Sequence, residues 1–211
     1  MTRVPRWLGA AALATVVGAC TASANGLPPT GGGAVAPVPP GLGSLRQDEI
    51  TLDLQHEALL IKVTPLDESI IRLTAPDTYQ RLSSLARSRR AELDERALQD
   101  SLHVFLVSFF SYQPDVPFQP EDLNLLSLGL RFRPQAIVPI TPGWDLQRLR
   151  QQETQMALYA FDQRVDLESD LDVEYRNALQ TGWDRILARV EAERARVRAR
   201  AARRYDGPPP S

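Results

Sequence analysis

The chain has 211 residues, with 24 Lys and Arg against 26 Asp and Glu, one Cys, two His, 17 Pro and 12 Gly. A net charge of −2 excludes a nucleic-acid binder that works through bulk positive charge, and a single Cys excludes an intramolecular disulfide framework or a Cys-rich zinc site. The length suits one domain, and 43% hydrophobic residues suffice for a core.

Met1 to Arg6 carries Arg3 and Arg6 and no acid, and Trp7 to Val17 is entirely apolar or small. This is a basic segment followed by a short hydrophobic one. Eleven residues at about 1.5 Å each cover about half of a ~30 Å hydrocarbon core, so no permanent membrane span is expected here. Val17-Gly18-Ala19-Cys20 follows. The stretch resembles the lipobox of bacterial lipoproteins, in which an aliphatic residue, two small residues and a Cys end the signal peptide. The resemblance implies a signal peptide over 1–19, a diacylglyceryl thioether on Cys20 and cleavage just before it. Each acyl chain adds about 0.8 kcal/mol of membrane affinity per buried CH₂, so two or three chains make a stable anchor. In Gram-negative members of that family an Asp after the Cys is associated with inner-membrane retention; with Thr21 there instead, the resemblance favours the outer membrane, facing the periplasm.

From Thr21 to Ser44 the chain has no charge and no aromatic residue, and is rich in Gly and Pro. Residues 20–44 are therefore expected to be the lipidated Cys and a disordered tether, and 206–211 a disordered tail.

Alternation at Ile50, Leu52 and Leu54 predicts a strand, as do the runs 59–63 and 69–73. Thr74 is placed as the N-cap of a helix near 75–99, with Pro76 in its first turn and a stripe of Tyr79, Leu82, Leu85, Ala86, Leu93 and Ala97. Leu102 to Phe110 is the most hydrophobic run after the leader and is expected to be a central strand. Further strands are expected at 122–128 with a turn at Gly129, 130–134, 136–140, 156–161 and 171–175. Short strands with Pro-rich turns predict an α+β fold: an antiparallel β-sandwich over 45–175 with one inserted helix. The stretch 105–175 loosely resembles immunoglobulin-like domains, a likeness that implies architecture and no activity.

A long C-terminal helix is expected over 176–205, docked by Trp183, Ile186, Leu187 and Val190 at i, i+3, i+4 and i+7. From Asp184 to Arg204 eight Arg face three acids, a local charge of +5. Two readings of this basic helix stand. Arg194, Arg196, Arg198, Arg200, Arg203 and Arg204 contact an anionic surface, or they are solvated and pair with the protein's own acids. The arginines read as spread around the helix rather than gathered in one stripe.

His56 and His103 have no spacing that predicts a metal site, and are read as structural. The acid pairs Asp48/Glu49, Asp67/Glu68, Glu121/Asp122 and Asp162/Asp166 are read as turn and cap residues. Phe105, Phe109, Phe110, Tyr112, Phe118 and Phe132 are read as core. No Gly-x-Ser-x-Gly elbow or phosphate-binding loop occurs, so no catalytic residue and no cofactor is predicted.

The expectation is a lipid-anchored, non-catalytic binding or structural module of the cell envelope. Its partners would be the membrane, through Cys20, and another envelope protein, with no nucleic acid. The alternatives are an envelope hydrolase and an assembly factor that accepts a partner strand at a sheet edge.

Overall fold

Strand β1 (Leu52–His56) and strand β2 (Leu59–Pro65) form an antiparallel hairpin, with Leu52, Leu54 and His56 turned inward and Asp53 and Gln55 outward. The structure, a computed structural model, describes residues 38–97 and 102–205, with side chains to Arg203 in the last helix. Cys20, the tether before residue 38 and the tail from residue 206 lie outside the described residues.

After β2 the chain forms helices α1 (Glu68–Ile71), α2 (Pro76–Ser88) and α3 (Arg90–Arg96). Then come β3 (Leu102–Ser111), β4 (Val116–Pro117), β5 (Leu123–Ser127), β6 (Leu130–Phe132), β7 (Ala136–Pro139), β8 (Arg148–Leu149), β9 (Glu153–Asp162), β10 (Leu171–Tyr175), β11 (Ala178–Gln180) and helix α4 (Trp183–Tyr205). The strands form a five-stranded sheet in the order β1-β2-β3-β9-β7, a four-stranded sheet β11-β10-β5-β6 and the pair β4-β8. Every one of these pairings is antiparallel. The fold is α+β, mostly antiparallel sheet, with a C-terminal helix.

The run 102–110 is indeed central: β3 pairs over its whole length with β9 and over seven residues with β2. Its Phe105 and Phe109 are fully buried. Phe109 stacks on Phe118 at 4.7 Å and meets Trp144 edge-on at 5.9 Å and Tyr175 of β10 at 5.8 Å. Tyr159 Oη donates to Pro120 O, and Tyr175 Oη accepts from Gln119 N, so both buried phenols are satisfied. Of the aromatic residues read as core, Phe105, Phe109, Phe118 and Phe132 are buried, Phe110 is half-buried and Tyr112 is exposed.

Four expectations change. Residues 69–73 form helix α1 and its end, because the Asp67 side chain accepts from Ser69 N and caps a helical turn. Consecutive Ile70 and Ile71 then both face the core. Thr74 does not open α2: its hydroxyl donates back to Ile71 O, and Ala75 is the N-cap. The helix near 75–99 is two helices, broken at Arg89 (φ −114°, ψ 5°). The C-terminal helix starts at Trp183 rather than 176, because Ala178–Gln180 pair with β10 as β11.

The packed body also begins before residue 45. Val38 and Leu45 are buried, Leu45 N donates to Leu73 O and Ala75 N donates to Leu45 O. A Cβ on Gly43 would lie 2.1 Å from Leu73 C, so only glycine passes this point. Residues 38–44 thus belong to the body, and the expected tether shortens to the residues before them. No helix among the described residues is long and apolar enough to cross a membrane.

Candidate functional site

Helix α4 is built from strong helix formers, Ala and Arg above all. It docks through Trp183, Ile186 and Val190, buried as the spacing predicts, with Leu187 half-buried beside them and Val197 buried further along. Trp183 Nε1 donates to Leu167 O at 3.1 Å. Between Val190 and Val197 the docked position is Glu193, whose side chain is 0% exposed.

Glu193 closes a clasp between α4 and the start of the body. Its Oε1 accepts from Ser44 Oγ and from Arg200 Nη1, each at 2.8 Å, and its Oε2 accepts from Arg196 Nη1 at 3.4 Å. Arg200 Nη1 also donates to Leu42 O at 2.6 Å. Burial pushes the Glu193 carboxyl upward, but the hydrogen bonds from Ser44 and Arg200 outweigh it and hold the group below the usual carboxylate range.

The six arginines singled out by charge do not act alike. Arg194 is only 12% exposed: it grips Glu168 with both Nη atoms, at 2.9 and 2.8 Å, and pairs with Glu191. Arg200 is committed to Glu193 and Leu42. Neither is free for an external surface. Arg196 is 65% exposed with one long contact to Glu193. Arg198 and Arg203 are exposed and make no ion pair among the described residues. Arg204 lies in the last turn of α4, and its side chain is outside what is described. Sequence reasoning missed Glu193, Ser44 and Glu168. The signal was present for Glu193, since it occupies a position of the apolar stripe seven residues after Ile186.

A second polar site lies where α1, β3 and the loop 163–168 meet, a cleft of about 250 Å³ lined by Asp67, His103, Arg164, Asp166 and Glu168. His103 Nδ1 faces Asp67 Oδ2 at 3.2 Å. That hydrogen bond, opposed by burial and helped by Ser69, holds the Asp67 carboxyl down to about 2. A carboxylate that orients an imidazole is the geometry of a general base. No hydroxyl among the described residues is hydrogen-bonded to His103, and no group of three or more His, Cys, Asp or Glu among them could hold a metal ion.

His56 is buried and meets the Tyr175 ring edge-on at 5.3 Å. The acid pairs resolve into caps and ion pairs. Glu49 accepts from Arg46 N, Asp67 caps α1, Glu68 pairs with Arg72, Asp122 with Arg176, and Asp162 with Arg164. No family model matches the chain, and no curated protein and no solved structure matches it.

Proposed function

We propose that this chain is a lipid-anchored protein of the bacterial cell envelope, a non-catalytic binding or structural module held at the outer membrane and facing the periplasm. The observation that carries the reading is the sequence Val17-Gly18-Ala19-Cys20 behind Arg3, Arg6 and an eleven-residue apolar run. The folded part is read as a β-sandwich of immunoglobulin-like character, since Phe109 of one sheet and Tyr175 of the other share one aromatic cluster. The clasp at Glu193 supports a mechanical role. It fixes Leu42 and Ser44, which follow the turn at Pro40–Gly41 near the start of the body, against the 23-residue helix α4. The test is metabolic labelling with a palmitate analogue. Wild type takes up label and Cys20→Ala does not; equal label in both overturns the reading.

The Asp67–His103 cleft favours a second reading, an envelope hydrolase. Turnover of an ester or peptide substrate by the purified protein, lost in His103→Ala and kept in Cys20→Ala, would establish it. The strand-accepting alternative has less support: Arg96 Nη1 donates to Ile137 O at the β7 edge, and β6 and β11 are three residues long.

A further inference from the structure

Once the docked face of α4 is fixed by Trp183, Ile186, Val190, Glu193 and Val197, the arginines that remain fall into order. Arg189, Arg196 and Arg203 recur every seven residues, two helical turns and about 10.5 Å apart, and all three are exposed. Arg185 lies one turn before them, and Arg198 stands on the opposite flank. Between the flanks the outward strip is Ala188, Ala192, Ala195, Ala199 and Ala202, every one exposed. The charges are therefore not spread evenly around the helix. Two point inward to acids, and five line an outward face about 21 Å long between Arg189 and Arg203.

Two exposed acids, Asp184 and Glu191, share this side of the helix, and the five arginines outnumber them. Arg185, Arg189, Arg198 and Arg203 make no ion pair among the described residues, and Arg196 has only its long contact to Glu193. Glu191 is drawn to Arg194. A second copy of the same face would bring arginine against arginine, which disfavours self-association. The face fits an extended negative surface.

The same helix holds the chain that leads to Cys20. Ser44 is bonded to Glu193 and Leu42 to Arg200, so going back along the chain from 44 to 42 follows α4 toward its C-terminal end. Only 17 residues lie between Cys20 and Val38, a reach of at most about 60 Å.

We propose that the outward face of α4 lies on an anionic bilayer, with Arg185, Arg189, Arg196, Arg198 and Arg203 among the lipid head groups. This deepens the lipid-anchor reading and rests on it for the side of the molecule that meets the membrane. Alanine offers little to insert between acyl chains, so the attachment is electrostatic and salt-sensitive. The lipid supplies the anchor, and the helix sets which way the body faces.

The test uses the full chain carrying Cys20→Ala, which removes the acyl anchor, with and without R189Q, R196Q and R203Q. Flotation is measured on vesicles of 30% phosphatidylglycerol in phosphatidylcholine and on phosphatidylcholine alone. A third chain with R81Q, R87Q and R133Q has the same net charge and an intact helix face. Each arginine near an anionic surface contributes about a fivefold change in partitioning. The helix variant is therefore expected to bind anionic vesicles on the order of 100-fold less than its parent, and the third chain far more tightly than the helix variant. On phosphatidylcholine, or at high salt, the difference between parent and helix variant disappears. Equal anionic binding by parent and helix variant overturns the proposal, as does equal loss in the third chain. Loss of a cross-linked acidic protein in cells, with vesicle binding unchanged, also overturns it and makes the occupant a protein. Palmitate labelling reads the anchor separately, so failure at Cys20 and failure at α4 give different results.

Discussion

Strand β3 buries Val104, Phe105, Val107 and Phe109, and ladders on both sides satisfy its backbone. Helix α4 reaches the body through four buried apolar residues too, but in their midst it buries the carboxylate of Glu193. Beyond Glu193 its docked face thins to Val197, and arginines take over the joining. The two regions are held by different physics. Apolar burial at about 25 cal/mol per Å² is non-directional and does not depend on the alignment of any one donor. A buried carboxylate stabilises only while its donors stay in place, and one lost partner leaves it costly. The sheet is therefore expected to be the rigid part, and the seam between α4 and residues 42–44 the conditional one.

The comparison breaks most visibly at Phe109, whose ring touches Phe118, Trp144 and Tyr175. Phe109→Ala is expected to cost about 3–5 kcal/mol, because the cavity opens where three other rings cannot collapse. Urea unfolding followed by tryptophan fluorescence measures it, and a loss under about 1 kcal/mol would show that this cluster is not the keystone.

Glu193→Ala is expected to cost less, about 2–3 kcal/mol, since Arg196 and Arg200 can turn to water once their acceptor is gone. The difference lies in where the damage falls. Amide exchange should rise at 42–45 and in the C-terminal half of α4 while the β2-β3-β9 ladders keep their protection. A uniform rise across both regions would mean that the seam is no weaker than the sheet.

The same contrast explains what could be read from the chain. Period-two patterns exposed β1, β5 and β10, because one face of each takes the whole apolar set, and unbroken apolar runs exposed β3 and β9, which bury consecutive residues on both faces. The docked start of α4 was legible for the same reason at a period of 3.6. What escaped was governed by single polar groups. Asp67 turns an apparent strand into α1 by capping it, and Thr74 bonds backward to Ile71 rather than forward. The division of arginines into inward and outward sets depends on Glu168 and Glu193, which lie 26 and up to seven residues away from their partners. The Asp67–His103 cleft joins residues 36 apart that no local pattern links.

Acid gives the subtlest way to separate the two regions. Asp67 is held down to about 2 by its bond to His103, and Glu193 is also held below the usual range. A carboxyl depressed in the folded state stabilises fully above its unfolded value near 4, and that contribution is lost as pH falls through the folded value. For Asp67 the window is therefore about pH 4 down to 2. Because its side chain is about 30% exposed, solvent screening reduces the contribution to about 1–2 kcal/mol. Asp67→Asn should be less stable than wild type by that amount at pH 6, and its stability should fall less steeply below pH 4. Phe109→Ala removes no titrating group, so its curve should run parallel to wild type at a lower level. Urea midpoints between pH 6 and pH 2.5 compare the three chains. If Asp67→Asn also runs parallel to wild type, the Asp67–His103 bond contributes nothing to the fold, and the acid sensitivity lies elsewhere, with the Glu193 clasp the first place to look.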